Sequence, residues 1–320
     1  MNFERAAVIG TGMMGPGIAL TLTLGGLEAT ILSRTQDGAE QGLDSARRQT
    51  LYLEQHGLVT PQQANASLER LHASADFEDA IAYADLVVES APESMPFKQD
   101  LFARMDAIAR PEAVLASNTS GLSITKIAER CVHPERVVTT HFWNPPYLMP
   151  LVEIVKGEKT SDEIAVALRD LLERCGKVPV IVKKDRPGQL GNRLQMALVR
   201  EAVHIVQEGI ADAADVDLAA KAGFGLRLPV YGILEHQDMV GLDLGMSVVD
   251  YACQDLNNEP RAPELMREMV RSGQLGVKTG SGFYDWSKRD AGAVKSLRDR
   301  WLREFLKSNF VKAHRPASDG

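Results

Sequence analysis

The chain has 320 residues; at about 150 residues per domain this suits two domains with a substantial core. Hydrophobic residues at 44% and charged residues at 25% exclude a disordered or fibrous polymer. With 36 Lys and Arg against 43 Asp and Glu, the formal net charge of −7 argues against non-specific nucleic-acid binding.

A short apolar strand at residues 6–9 runs straight into Gly10-Thr11-Gly12-Met13-Met14-Gly15, after which small and apolar residues continue to Gly26. Residues 6–27 carry no charge and superficially resemble a secretory leader or membrane span, but six glycines and Pro16 interrupt the apolar block. No membrane association is expected. The pattern reads instead as strand, glycine turn and helix, and a second apolar strand at residues 29–32 follows at βαβ spacing. Gly10 permits the tight turn, Gly12 lets backbone approach a pyrophosphate, and Gly15 lets the helix pack on the strand. The helix N-terminus then faces phosphate charge. Gly10, Gly12, Met13, Met14 and Gly15 are therefore candidate contacts of a nicotinamide dinucleotide. At the end of the second strand the acid that usually bonds a ribose 2′-hydroxyl is replaced by Ser33-Arg34-Thr35. A hydroxyl and a guanidinium suit a 2′-phosphate, so the expected cofactor is NAD(P), with NADP(H) favoured over NAD. The alternative is an exposed Arg34 and NAD bound with Asp37 compensating.

Residues 36–73 read as two helical stretches broken near Gly57 and Pro61. Strands are predicted at 85–89, 113–116, 137–140, 151–155 and 178–182, with helices after Pro96 and at about 162–175. This alternation predicts an α/β fold with a Rossmann-type, mostly parallel sheet. From Asp185 the pattern turns helical, with long segments near 189–208 and 229–256. The expected domains are a dinucleotide-binding domain at 1–184 and an all-helical substrate and dimerisation domain at 185–320. Residues 312–320 are polar and expected to fray. Cys131, Cys175 and Cys253 form no CxxC pair, which suits a reducing cytoplasm rather than a disulfide framework or a thiolate zinc site. The histidines other than His141 show no ligand spacing, so no metal is expected.

Ser117-Asn118-Thr119-Ser120, His141-Phe142-Trp143-Asn144-Pro145, Leu151-Val152-Glu153, Gly188-Gln189-Leu190-Gly191-Asn192-Arg193-Leu194 and Gly280-Ser281-Gly282-Phe283-Tyr284 follow the glycine turn. As a combination this resembles the 3-hydroxyacyl-CoA dehydrogenase family, from the first strand to about Trp286. The resemblance implies hydride transfer between a 3-hydroxyl carbon and a nicotinamide. It makes His141 the general base, Glu153 its carboxylate partner, Ser120 the hydroxyl near the substrate oxygen and Asn192 a second polarising group. It also implies that Glu93 and Lys98 lie near the nicotinamide ribose, that Asn118 and Asn144 border the nicotinamide or the catalytic pair, and that the protein is a homodimer. The chemistry agrees: a secondary alcohol losing hydride must also lose its hydroxyl proton, and an imidazole serves in both directions near neutral pH. A carboxylate behind it fixes the tautomer and stabilises the imidazolium. Read singly, each of these residues is an ordinary polar side chain; their joint presence carries the assignment.

Departures bear on the substrate. Acyl-CoA members often carry lysines in the helical pair after the second strand, whereas the first lysine here is Lys98, leaving Arg47, Arg48 and Arg70 to meet CoA phosphates. The segment from Asn144 to Pro150 also resembles relatives that oxidise free hydroxy acids or aromatic alcohols, such as L-gulonate and pyridoxine-degradation dehydrogenases. In that case Arg227 is a candidate partner for a substrate carboxylate. Two rival readings stand beside this one. A β-hydroxyacid dehydrogenase or imine reductase would need a lysine in the long helix, where Gln195 and Val199 stand. A non-catalytic dinucleotide binder would have no use for a base at residue 141.

Overall fold

The computed structural model describes residues 1–308; the expectation for residues 312–320 lies outside them. Among the described residues, β1 (Arg5–Ile9), β2 (Glu28–Leu32), β3 (Leu71–Ser74), β4 (Leu86–Glu89), β5 (Val114–Ser117), β6 (Val137–Phe142), β7 (Leu151–Lys156) and β8 (Val178–Val182) form one sheet in the order β3-β2-β1-β4-β5-β6-β7-β8. All neighbouring pairs are parallel except β6 and β7. The chain leaves β1 toward β2 and β3, then returns to the other side of β1 as β4. That reversal opens a crevice at the carboxyl ends of β1 and β4, where open α/β sheets bind ligands.

Helices cover both faces: α1 (Gly15–Leu24), α2 (Gln36–Gln55), α3 (Pro61–Glu69), α4 (Phe77–Ala82), α5 (Met95–Ile108), α6 (Ile124–Ile127) and α7 (Asp162–Arg174). Strand residues alternate between two cores, as a period of two requires. Val8, Val88 and Ala116 pack with Ile18 and Leu22 of α1 and Leu168 of α7. Ala7, Val87 and Leu115 pack with Phe102 and Met105 of α5. Both faces are buried, which explains why the strands read as apolar runs rather than alternating ones.

Two departures from the sequence reading concern this layout. Residues 71–74, expected to end a helical stretch, form the edge strand β3 against β2. Its sequence Leu-His-Ala-Ser has one strongly apolar residue, so pairing with β2 rather than propensity decides its state. The segment 229–256, expected to be one long helix, is broken at Gly241, whose φ of +99° no helix accommodates.

The first compact unit comprises Met1–Arg193 and the second begins at Leu194. The first unit extends past Lys184, and its last residues are tied to α6 and the segment before it. Asp185 accepts from Ser123 Oγ and the Thr125 amide at 2.5 and 3.0 Å, and Gln189 Nε2 donates to the Thr119 carbonyl at 2.9 Å. Beyond it the chain is helical: α8 (Gly191–Gln207), α9 (Ala213–Ala222), α10 (Phe224–Arg227), α11 (Ile233–Val240), α12 (Leu242–Ala252), α13 (Glu264–Arg271) and α14 (Ala291–Lys307). None of the described helices is long and apolar enough to cross a membrane.

Candidate active site

The glycine turn has the shape its sequence requires. Gly10 has φ +112°, and a Cβ there would lie 2.3 Å from the Ser90 carbonyl oxygen. A Cβ on Gly15 would lie 1.9 Å from the Gly10 carbonyl oxygen, so only glycine lets α1 begin this close to the turn. Around Gly12 the space is open, with nothing within 4 Å of a Cβ position. The N-terminus of α1 carries no side-chain cap and no acidic residue in its first turn. An uncapped helix start beside an open glycine is a ready seat for a pyrophosphate, so the residues present fit a dinucleotide. At the end of β2, Ser33 is half-buried and Arg34 exposed.

At the carboxyl ends of the strands a cleft of about 400 Å³ is lined by Met13, Met14, Ser90, Asn118, Ser120, His141, Trp143, Asn144 and Asn192, among others. Of the residues that the sequence singles out, Met13 and Met14 of the glycine turn, Asn118 and Ser120 after β5, His141 and Asn144 at the end of β6 and Asn192 at the start of α8 reach this one cavity, whereas Ser33, Arg34, Glu93, Lys98, Glu153 and Arg227 do not line it. Asn118 is held on both sides, its Oδ1 accepting from the Phe142 amide at 2.8 Å and its Nδ2 donating to Ser90 Oγ at 3.3 Å. Asn192 Nδ2 donates to the Ser120 carbonyl at 3.1 Å.

His141 and Glu153 face each other across the antiparallel β6–β7 pair, in register. Nδ1 of His141 lies 2.8 Å from Glu153 Oε2, which leaves Nε2 as the other ring nitrogen of an imidazole that lines the cleft. The Glu153 side chain is fully buried. Its Oε2 also accepts from the Trp143 indole N–H at 2.9 Å, and its Oε1 accepts from the Leu190 and Gly191 amides at 2.9 and 2.8 Å. Burial pushes this carboxyl up, but the hydrogen bonds from His141, Gly191, Trp143 and Leu190 outweigh it and hold the group at about 2. Glu153 is therefore an anion at neutral pH, with a donor set on each oxygen.

The two amides on Oε1 are aimed by the turn before α8, where Gly188 and Gln189 have φ of +78° and +52°. Positive φ at a residue as large as Gln189 is uncommon, and the bond from its amide to Thr119 holds it there. Sequence reading named the Gly188–Leu194 cluster but not this role, since backbone donors leave no side-chain signature.

Glu93 and Lys98 belong to a second cluster. Lys98 Nζ is buried, 2.6 Å from the equally buried Glu89 and 3.4 Å from Glu93. Glu89 also accepts from Ser117 Oγ at 2.6 Å, and Glu93 accepts from the Ser120 amide at 3.2 Å. Glu93 therefore positions the Ser120 loop, while Lys98 is enclosed rather than lining the cleft. Glu89, which sequence reading took only as the end of a strand, is what balances the lysine. Arg227 lies in α10 of the second unit and lines an apolar cavity there with Leu198, Phe224, Tyr231 and Leu256. Among the described residues no group of three or more His, Cys, Asp or Glu is arranged to hold a metal ion.

A crevice at the β1/β4 switch point, a glycine turn and a buried imidazole–carboxylate pair define a nicotinamide-dependent oxidoreductase of the Rossmann class. Residues 5–186 match the NAD binding domain of 3-hydroxyacyl-CoA dehydrogenase, and residues 188–286 match its C-terminal domain. The chain belongs to the 3-hydroxyacyl-CoA dehydrogenase family and is an oxidoreductase of that kind, interconverting a hydroxyl and a keto group with NAD. It is 38% identical over 312 residues to an L-carnitine dehydrogenase of Pseudomonas putida, covering 96% of this chain and 94% of that one. It is 35% identical over 290 residues to a probable 3-hydroxybutyryl-CoA dehydrogenase of Bacillus subtilis, covering 90% and 99%. A solved structure of 5-formyl-3-hydroxy-2-methylpyridine 4-carboxylic acid 5-dehydrogenase, described as an NAD+-dependent dismutase, superposes with a TM-score of 0.88 at 32% identity, covering 98% and 100%.

Proposed function

We propose that His141 is the general base and acid of a 3-hydroxyacyl dehydrogenase, acting on a 3-hydroxyacyl-CoA thioester and its 3-keto product. The observation that carries this is the 2.8 Å bond between His141 Nδ1 and a Glu153 carboxyl held well below the usual carboxylate range, with the imidazole at the cleft. When bound, the nicotinamide supplies the acceptor for the hydride leaving carbon 3. In the oxidative direction His141 takes the hydroxyl proton on Nε2 as the carbon–hydrogen bond breaks, so no positive charge accumulates at carbon. Glu153 keeps the proton on Nδ1 of the neutral ring and stabilises the imidazolium that forms. In reverse, His141 returns that proton to the oxygen. Ser120 and Asn192 polarise the same oxygen, and Asn118 and Asn144 border the ring. Gly10, Gly12, Met13, Met14 and Gly15 seat the dinucleotide. The exposed Arg34 beside Ser33 supports acceptance of a 2′-phosphate, so NADP(H) is proposed as the preferred form.

A second reading, a free hydroxy acid or aromatic alcohol without CoA, is favoured by one observation. The arginines of the α2–α3 pair are partly engaged, Arg47 with Asp44 at 3.1 Å and Arg70 with the Ala66 carbonyl at 3.1 Å, and no lysine precedes the buried Lys98. The L-carnitine dehydrogenase and the 5-formyl-3-hydroxy-2-methylpyridine 4-carboxylic acid 5-dehydrogenase named above are described without CoA, which supports the same reading. Arg227 is then the proposed carboxylate partner.

We also propose a homodimer formed through the second unit, supported by exposed Leu234, Leu242, Met246 and Val249 on α11 and α12. The free thiols of Cys131, Cys175 and Cys253 support a cytoplasmic setting. The test is reduced-nicotinamide absorbance for wild type and His141→Ala. It is run with 3-hydroxybutyryl-CoA, free 3-hydroxybutyrate and L-carnitine, each with NAD and NADP. Turnover that survives intact in His141→Ala refutes the catalytic assignment, and the substrate and cofactor ranking decides between the readings.

A further inference from the structure

The Trp143 indole N–H meets the same Glu153 oxygen that faces His141, at 2.9 and 2.8 Å respectively. The ring also leans on the imidazole, with centroids 5.7 Å apart, and packs on the start of α8, where a Cβ on Gly191 would lie 2.6 Å from its Cζ2. A phenyl ring would fill much of this space without donating anything. An indole here places a third kind of donor on a carboxylate already served by two amides.

We propose that Trp143 is a positioning residue that sets how strongly Glu153 favours the protonated form of His141, a role that rests on the catalytic reading above. A hydrogen bond draws electron density from the oxygen that accepts it, so each donor on Oε2 other than His141 weakens that oxygen's pull on the imidazolium. Trp143 shares Oε2 with the imidazole, whereas Leu190 and Gly191 occupy Oε1. It is therefore the donor that competes most directly. The indole thereby limits the pull of Glu153 on the imidazolium while the carboxylate still fixes the ring's tautomer.

The other groups around His141 leave this balance to Glu153. From β7 the facing charge is Glu153 itself. From the segment after β5 come the uncharged Asn118 and Ser120, and from the start of α8 the uncharged Asn192, all lining the same cleft. The buried charge on β4, Glu89, is balanced by Lys98 of α5, and Glu93 lies against the same ammonium.

The test replaces Trp143 with 3-benzothienylalanine, an isostere that keeps the bicyclic ring and lacks the N–H, alongside Trp143→Phe. The His141 ring titration, followed by NMR in the cofactor-free protein, is expected to move upward by about half to one pH unit in both. The acid limb of kcat/KM moves with it, and cofactor affinity stays within about twofold. Because the NMR titration needs no turnover, failure of the catalytic reading appears separately, as an active His141→Ala protein. A titration in the isostere that overlays the wild type, or moves downward, overturns the proposal and leaves Trp143 as packing alone. Should Trp143→Phe not fold, the isostere still decides, because it preserves the ring's contact with Gly191.

Discussion

The two compact units differ in where their apolar residues go. In the first, Val8, Ile18, Leu22, Val87, Phe102, Leu115 and Ile154 are essentially inaccessible, and the sheet is covered on both faces. In the second, Val203 is the one hydrophobic residue in the buried core among the described residues, while Leu234, Leu242, Met246 and Tyr251 are 79%, 65%, 61% and 82% exposed. At about 25 cal/mol per Å², covering several such side chains would recover a few kcal/mol. The first unit completes its own core and holds a buried imidazole–carboxylate pair inside it. The second presents surface that association would complete.

The sharpest way to break this comparison is to remove chemistry without touching assembly. His141→Ala is expected to lower kcat by about a thousandfold, with cofactor affinity and sedimentation unchanged. A change in sedimentation would mean that the units do not divide their tasks in this way. Glu153→Gln preserves an acceptor for the Leu190 and Gly191 amides but loses the charge behind the imidazole. It should cost about ten- to a hundredfold in kcat, measured under saturating cofactor.

The converse variant is Met246→Asp on α12, which places a charge on the exposed apolar face. Analytical ultracentrifugation should show a shift toward monomer by about tenfold or more in Kd, with cofactor binding measured by fluorescence nearly unchanged. Monomeric wild type would remove the contrast. A smaller effect is expected in acid. Because the folded Glu153 carboxyl is held at about 2 against an ordinary value of 4.5, its contribution to stability is fully present above pH 4.5 and is lost as pH falls toward 2. Glu153→Gln should flatten the denaturation midpoint over that window, by about 3 kcal/mol at most.

Much of the first unit was readable from residues alone, because parallel strands buried on both faces leave apolar runs and the glycine turn has a steric reason at Gly10 and Gly15. His141 and Glu153 were marked by the family resemblance of their motifs taken together, since each alone reads as an ordinary polar residue on a strand. What escaped has physical causes. β3 is held by its neighbour and has little apolar signal. The Leu190 and Gly191 amides act through backbone, and the Trp143 N–H sits in an aromatic that reads as core. The pairing of Glu89 with Lys98 spans nine positions of sequence and two different elements, so neither residue announces the other. The 229–256 segment keeps helical periodicity across Gly241, and only its backbone angle reveals the break.

The antiparallel register of β6 and β7 has a consequence for how this chemistry survives change. Because His141 and Glu153 are direct cross-strand partners, their spacing is inherited from ladder geometry rather than from the loop that joins them. Beyond Trp143 and Asn144, which belong to the site, residues 145–150 are then less constrained by the couple, provided the ladder does not slip. A slip by one residue would turn one partner of the couple to the opposite side of the sheet. The hairpin is in this sense a transplantable cassette, and new specificities can be written into its tip while the proton-handling couple stays fixed at its base.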